Sequence, residues 1–139
     1  MSKRILVVDD SQYVADASAR LIALCGYETM AAYDGHEAIQ QSAAFAPDMV
    51  LMDIGMPGLD GYEVAAQIRR DQANAGVLLV AVTCFTDDKD KQHALENGFN
   101  IHIPKPMSLT TLYRLLGLLH QDHCTQSAAL AAPDLSRGL

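Results

Sequence analysis

Three carboxylates, a hydroxyl and an amine each stand where a short apolar run of this sequence ends: Asp9, Asp10, Asp53, Thr83 and Lys105. Clustered carboxylates suit a hard divalent cation such as Mg²⁺ or Mn²⁺, since Mg²⁺ takes carboxylate, water and phosphate oxygens as ligands. A carboxylate is also a nucleophile that metal coordination activates toward phosphorus. A hydroxyl and an ammonium group supply the hydrogen bond and the positive charge that phosphoryl transfer requires.

Four runs that precede these residues, together with one further run, predict five short strands. They cover residues 5–8, 28–33, 49–52, 77–82 and 101–103. The runs are short and mostly apolar, with several β-branched residues, which is typical of buried strands. A stretch with helical spacing follows each run. Five strand-then-helix units in series predict a parallel sheet with helices on both of its faces.

The first predicted helix begins after Ser11, a favourable N-cap, and ends at Gly26. Its buried face is predicted from four apolar residues at helical spacing: Val14, Ala17, Leu21 and Leu24. The fourth helix is predicted from about Thr86 to Asn97, and the last from about Ser108.

In an open parallel sheet, sites form at the carboxyl ends of the strands, which is where the polar residues fall. A nucleotide-binding sheet would carry a glycine-rich turn after its first strand. This chain carries Asp-Asp-Ser there, which repels phosphate unless a cation intervenes. The sequence therefore favours metal-assisted phosphoryl chemistry over nucleotide binding.

Composition narrows the possible classes further. A length of 139 residues fits one domain, and a net charge of −7 argues against nucleic acid as a partner. The three cysteines are widely spaced, so neither a disulfide framework nor a CxxC metal site is expected. No apolar run is long enough to cross a membrane, and MSKRILVVDD becomes acidic too early for a secretory signal. We expect a cytoplasmic protein with no membrane or nucleic-acid partner.

The segments ILVVDDS, VLMDIGMPGLDGYEV, AVT and IPKP resemble those of response-regulator receiver domains in two-component signalling. The resemblance spans 3–119. It implies a flavodoxin-like, doubly wound (βα)5 fold and a phosphorylation-dependent signalling switch rather than a metabolic enzyme. We expect the receiver domain to cover 1–122. Residues 123–139, rich in Ala, Ser and Gln, are expected to form a tail or linker.

The resemblance also implies roles for individual residues. Asp53 would be the phospho-acceptor. Asp10 and Asp53 would bind the metal directly with the backbone carbonyl of Gly55, and Asp9 would act largely through water.

Other implied roles concern the phosphoryl group and its surroundings. Thr83 would move toward that group, and Lys105 would pair with it. Pro106 resembles a proline that is usually cis in the family. His102 stands where the family often has an aromatic switch residue, and is either a switch or a passive polar spacer.

Three residues are candidates for control of access to the phosphoryl group. Gly55 carries no side chain to shield the site, whereas Phe85 is large enough to cover it. Cys84 either narrows the path or responds to redox conditions, and the plain alternative is a small buried hydrophobic residue.

The implied phosphodonor is a phosphohistidine on a histidine kinase or a phosphotransfer protein. Output would follow from a protein partner on the surface of the fourth helix, fifth strand and last helix, with phosphorylation-dependent dimerisation left open. A receiver module of a hybrid histidine kinase is one alternative, indicated by His102 and the linker-like tail. A phosphatase with an aspartyl nucleophile is another alternative. Such enzymes have an Asp-x-Asp motif after the first strand, whereas this chain has Asp-Asp-Ser there. An inert docking module is disfavoured because every site residue is present.

Overall fold

The computed structural model describes residues 3–54, 60–71, 74, 76–84 and 87–119. In these ranges strands and helices alternate, as the sequence predicts. The strands are β1 (Arg4–Val8), β2 (Glu28–Ala32), β3 (Met49–Asp53), β4 (Leu78–Thr83) and β5 (Ile101–Pro104). The helices are α1 (Gln12–Leu24), α2 (Gly35–Phe45), α3 (Gly61–Arg70), α4 (Asp88–Glu96) and α5 (Leu109–Leu118).

All strand pairs are parallel, and the strand order is β2-β1-β3-β4-β5. The order reverses at β1, whose two neighbours are β2 and β3. In doubly wound sheets such a switch point opens a crevice at the carboxyl ends of the strands. Asp9 and Asp10 follow β1, and Asp53 ends β3, so the three acids flank this crevice.

The core consists of two layers, one on each face of the sheet. Residues from α2, α3 and α4 pack on one face with Leu6, Val50 and Leu79. Residues from α1 and α5 pack on the other face, together with Ile5 and Val80. Adjacent strand residues point to opposite faces, so continuous apolar runs are required when both faces are covered.

The buried stripe of α1 differs from the predicted one. Its buried residues are Ala15, Ala19 and Ile22. Val14 is 46% exposed, Leu24 is 81% exposed and Ala17 is exposed as well, so the predicted face was wrong for these three residues. The small side chains of Ala15 and Ala19 let the helix backbone lie close to the sheet. Larger apolar residues on the neighbouring stripe stay at the edge of the core.

Side-chain caps fix the helix starts. Ser11, the predicted cap of α1, accepts the N–H of Val14. Ser108, near which the last helix was predicted to start, caps α5 by accepting the N–H of Thr111. The Asp87 carboxylate accepts the Asp90 N–H over 2.9 Å and caps α4, which begins at Asp88. The residue at the predicted start of this helix, Thr86, lies outside the described residues. Such a cap satisfies an N–H that has no partner inside the helix.

None of the helices in the described ranges is long and apolar enough to cross a membrane. The predicted domain boundary after residue 122 and the tail at 123–139 lie outside the described residues.

Candidate functional site

The predicted acidic cluster forms at the carboxyl edge of the sheet. Asp9, Asp10 and Asp53 each place a carboxylate oxygen so that all three lie within 4.8 Å of one another. Asp53 is buried and Asp10 is exposed, so the cluster is open to solvent on one side. Three convergent carboxylates match the all-oxygen ligand set that Mg²⁺ prefers. The residues present therefore fit a divalent cation.

Asp9 is fixed by two backbone contacts. Its N–H donates to the carbonyl of Ala32 at the end of β2, over 3.1 Å, and its Oδ1 accepts the N–H of Ser11 over 3.0 Å. Burial raises the pKa of Asp9 above its usual value, and the negative charge of Asp53 adds to the rise, while the Ser11 N–H opposes it. The fold thus brings Asp9 to a place where its charge is disfavoured without a cation.

Lys105 reaches the cluster from the end of β5. Its Nζ lies 2.5 Å from Asp53 Oδ1. Burial alone would lower the pKa of Lys105, but the hydrogen bond and attraction to Asp53, with a contribution from Asp9, raise it above the usual value. Lys105 therefore stays protonated at neutral pH and offsets part of the repulsion among the acids.

Thr83 ends β4, which pairs with β3, the strand that ends at Asp53. Its side chain is fully buried, and its strand neighbour Val82 pairs with Asp53 in the register. Thr83 itself pairs with Pro104. The Lys105–Pro106 peptide bond is cis, which confirms the expectation for Pro106.

Four further residues were singled out in the sequence. His102 is buried, with 9% exposure, and pairs with Ala81 on the sheet face covered by α2, α3 and α4. Its predicted switch role stays a prediction. Cys84 is exposed, so the alternative of a buried hydrophobic residue is wrong. Gly55 and Phe85 lie outside the described residues.

A cavity of about 530 Å³ between α1 and α5 opens beside Asp53 and Lys105. Its apolar walls include Val14 and Leu21 from α1 and Leu112 from α5. No sequence pattern indicated this cavity, because Val14 and Leu21 were predicted to lie in the core. One pattern could have indicated the cavity. Ala15, Ala19 and Ile22 also have helical spacing, and if this stripe is the buried one, the larger apolar residues of α1 lie beside the core instead of in it.

Comparison with protein families and curated proteins identifies relatives of this chain. The family model of the response regulator receiver domain matches residues 5–116. The response regulator MprA of Mycobacterium ulcerans is 34% identical over 142 residues, covering 98% of this chain and 60% of the relative. MprA of Mycolicibacterium vanbaalenii is 36% identical over 141 residues, with the same coverage. The chain spans about 60% of the length of these relatives.

Solved structures match the fold as well. The chemotaxis protein CheY4 of Vibrio cholerae aligns with a TM-score of 0.79 and 26% identity, covering 84% of this chain and 98% of that chain. A DNA-binding response regulator of the LuxR family from Staphylococcus aureus aligns with a TM-score of 0.74 and 26% identity, covering 86% and 99%. These matches confirm the flavodoxin-like arrangement predicted from the strand and helix order.

Proposed function

This chain belongs to the family of response regulator receiver domains, and on that premise we propose that Asp53 accepts a phosphoryl group and that the phosphorylated protein signals by binding a partner. The observation that carries the proposal is the ion pair between Lys105 Nζ and Asp53 Oδ1, set beside Asp9 and Asp10. It supports the proposal because a carboxylate, an acidic cluster whose residues fit a divalent cation and a positive counter-charge lie in one crevice. The relatives described above are named as response regulators, which favours a receiver over the aspartyl phosphatase alternative.

The proposed reaction is attack of an Asp53 carboxylate oxygen on the phosphorus of a phosphohistidine. A P–O bond forms as the P–N bond breaks, and the imidazole leaves as a neutral ring after taking up a proton. A divalent cation, held by Asp9, Asp10 and Asp53, would neutralise charge on the transferred group. Gly55 is proposed to add its carbonyl oxygen. Water later hydrolyses the acyl phosphate, which makes the protein a timed switch.

Lys105 and Thr83 are proposed to hold the transferred group. The Lys105 ammonium already contacts the acceptor carboxylate, so it needs little movement to reach a phosphoryl oxygen bound there. Thr83 offers a hydroxyl from the next strand. Donors that are in place before the reaction stabilise the developing charge without reorganisation.

The proposed donor is a phosphohistidine on a histidine kinase or a phosphotransfer protein. The cavity between α1 and α5 supports a protein donor, because its apolar walls lead to Asp53. We assign the output partner to the face formed by α4, β5 and α5, where Leu95 and Tyr113 are large and exposed. The receiver is proposed to comprise residues 1–122 of a cytoplasmic protein, either separate or a module of a hybrid kinase.

The test is phosphorylation by a small acyl phosphate with Mg²⁺, followed by peptide mapping of the adduct by mass spectrometry. We expect one phosphorylated residue, Asp53, and no adduct in Asp53→Asn. Asp88→Asn, which removes an exposed acid at the start of α4, serves as the matched control and keeps wild-type labelling. A stable adduct on another residue of Asp53→Asn would overturn the assignment.

A further inference from the structure

The end of β2 holds the loop that carries two of the three acids. Val8 pairs with Ala32 in the register, and the carbonyl of Ala32 accepts the N–H of Asp9. This contact fixes the side of the loop that leaves β1. The other side contains Asp10 and enters α1. In the part of the chain that the structure describes, no backbone hydrogen bond joins Asp10 to Ala32, so this side needs a separate anchor.

Tyr33, the residue after β2, supplies that anchor. Its hydroxyl donates to Asp16 Oδ1 on α1 over 2.6 Å. Asp16 lies in the second turn of α1, whose first turn is capped by Ser11 directly after Asp10. Because a helix is rigid over so short a distance, a tie at Asp16 restrains the position of Asp10.

Tyr33 is itself held firmly. Its backbone N–H donates to Glu37 Oε1 over 2.7 Å, and the N–H of Glu37 donates to Asp34, the cap of α2. Its ring packs against the core layer of α1 and α5. The hydrogen bond to Asp16 is the largest cause of a raised pKa for Tyr33, so the hydroxyl keeps its proton and donates across the neutral range.

We propose that Tyr33 and Asp16 form a clamp that positions Asp10 and Asp9 for cation binding, which makes Tyr33 a positioning residue for the phosphorylation site. Repulsion among the three carboxylates drives the acidic loop away from Asp53 when no cation is bound. The clamp resists this movement from the α1 side, while the Ala32 carbonyl resists it from the β1 side. The inference rests on the proposed function, since it concerns the same cation site.

The test measures Mg²⁺ affinity by calorimetry, together with the Mg²⁺ dependence of Asp53 phosphorylation by acyl phosphate. Tyr33→Phe removes only the hydroxyl. We expect a threefold to tenfold higher dissociation constant for Mg²⁺ and an unchanged maximal rate at saturating Mg²⁺. If the clamp only positions the Mg²⁺ ligands, its loss weakens Mg²⁺ binding and leaves the maximal phosphorylation rate unchanged. General destabilisation of the fold does not predict this difference.

Two comparisons isolate the hydrogen bond. Asp16→Asn keeps an acceptor oxygen and should bind Mg²⁺ more tightly than Asp16→Ala, although both lose the same charge. Adding Tyr33→Phe to Asp16→Ala should cause no further loss of affinity. Tyr27→Phe is the matched control, because Tyr27 packs against the same core layer and its hydroxyl reaches Leu116 instead of α1.

Equal Mg²⁺ affinities for wild type and Tyr33→Phe would overturn the clamp. Wild-type protein that binds Mg²⁺ without becoming phosphorylated would overturn the proposed function alone, and the affinity comparison would still decide the clamp. Wild-type protein that binds no Mg²⁺ would overturn both.

Discussion

The backbone N–H of Lys105 donates a hydrogen bond to the carbonyl oxygen of Thr83 over 2.9 Å. The two residues proposed to contact the phosphoryl group are therefore tied to each other through the ends of β5 and β4. The Lys105 side chain forms an ion pair with Asp53 at the end of β3. A displacement of Thr83 toward a phosphoryl group would pull on the segment that carries Lys105, so the three strand ends are expected to respond together.

The first prediction concerns the charge of Lys105. Lys105→Met should lower the rate of Asp53 phosphorylation by roughly 100-fold, the loss typical of removing one preorganised charge-stabilising group. The dissociation constant for Mg²⁺ should fall or stay equal, since a positive charge leaves the cation site. Stopped-flow labelling and calorimetry measure the two effects. Lys89→Met, on the exposed side of α4, is the control, and an equal loss of rate there would contradict a specific role for Lys105.

Much of the fold follows from local sequence signals. The runs before Asp9, Asp53 and Thr83 are apolar at every position, and a parallel sheet covered on both faces requires this pattern. The position of the site follows from the same reasoning, because the carboxyl ends of parallel strands share one edge. The acidic cluster was therefore predictable from strand ends alone.

Features that depend on contacts between distant segments were not predictable. Several stripes of α1 are apolar, so periodicity did not distinguish the buried Ala15 stripe from the neighbouring stripe with Val14. Cys84 follows a buried strand residue, yet its exposure is set by where the chain turns after β4. Tyr33 carried no signal, since its partner Asp16 lies 17 residues earlier in the chain.

Arg69 is a second example of a long-range contact. It stands near the end of α3, and its guanidinium donates to the carbonyls of Gly98 and Val77 over 2.9 and 2.8 Å and to the side chain of Asn100 over 2.5 Å. Burial lowers the pKa of Arg69 from its usual value, which is the expected effect on a desolvated cation. These bonds join α3 to the residue before β4 and to the turn before β5.

We predict that Arg69→Met lowers the free energy of unfolding by about 4 kcal/mol, because these three acceptors and the carbonyl of Asn74, 3.2 Å from the guanidinium, each lose a donor at about 1 kcal/mol. Urea denaturation in the presence of EDTA measures the change. Arg70→Met is the control, since Arg70 is the exposed neighbour in the same helical turn and should change stability by about 0.5 kcal/mol or less. Similar losses in the two variants would show that the Arg69 contacts contribute little.

His102 is predicted to make output depend on pH. The ring lies buried on the face covered by α4, next to the proposed partner surface. A protonated imidazole is costlier to keep in an apolar layer than a neutral one, so acid should disfavour the buried position. Affinity of the phosphorylated protein for its partner should rise with pH in wild type and stay constant in His102→Phe. Parallel pH profiles for the two proteins would remove His102 from the switch.

Asp9 is expected to cause a second pH effect, on the free energy of unfolding of the metal-free protein. Burial is the main cause that raises its folded pKa above the usual 3.8. The folded state therefore binds the Asp9 proton more tightly than the unfolded state does, and stability falls as pH rises from 3.8 through the folded pKa. At pH values above the folded pKa, the full cost of keeping the Asp9 carboxylate ionised in the folded state is present. Asp9→Asn should be more stable than wild type in metal-free buffer at neutral pH, and the advantage should vanish below about pH 3.8. A stability difference that is independent of pH would contradict this origin.

The last prediction concerns the balance between repulsion and cation binding. Two unit charges at 4.8 Å, the span of the acidic cluster, repel by about 3.5 kcal/mol at an effective dielectric of 20. The net effect is smaller, because Asp10 is exposed and solvent screens it. Asp10→Asn removes part of the repulsion and leaves the Lys105–Asp53 ion pair intact. It should therefore raise the melting temperature without metal by a few degrees, about 1 kcal/mol.

Mg²⁺ should reverse this order of stability. It binds the assembled cluster and hardly the unfolded chain, so a hundredfold excess over its dissociation constant stabilises wild type by about 2.7 kcal/mol. Asp10→Asn lacks one ligand and should show a smaller upward shift. Asp53→Ala is the informative contrast, because it relieves repulsion but also removes the ion pair with Lys105, so its metal-free gain should be smaller than that of Asp10→Asn. Thermal unfolding of the three proteins in EDTA and in millimolar Mg²⁺ gives all the comparisons. If wild type shows no Mg²⁺-dependent shift, the acidic cluster binds no cation and the proposed phosphoryl transfer loses its physical basis.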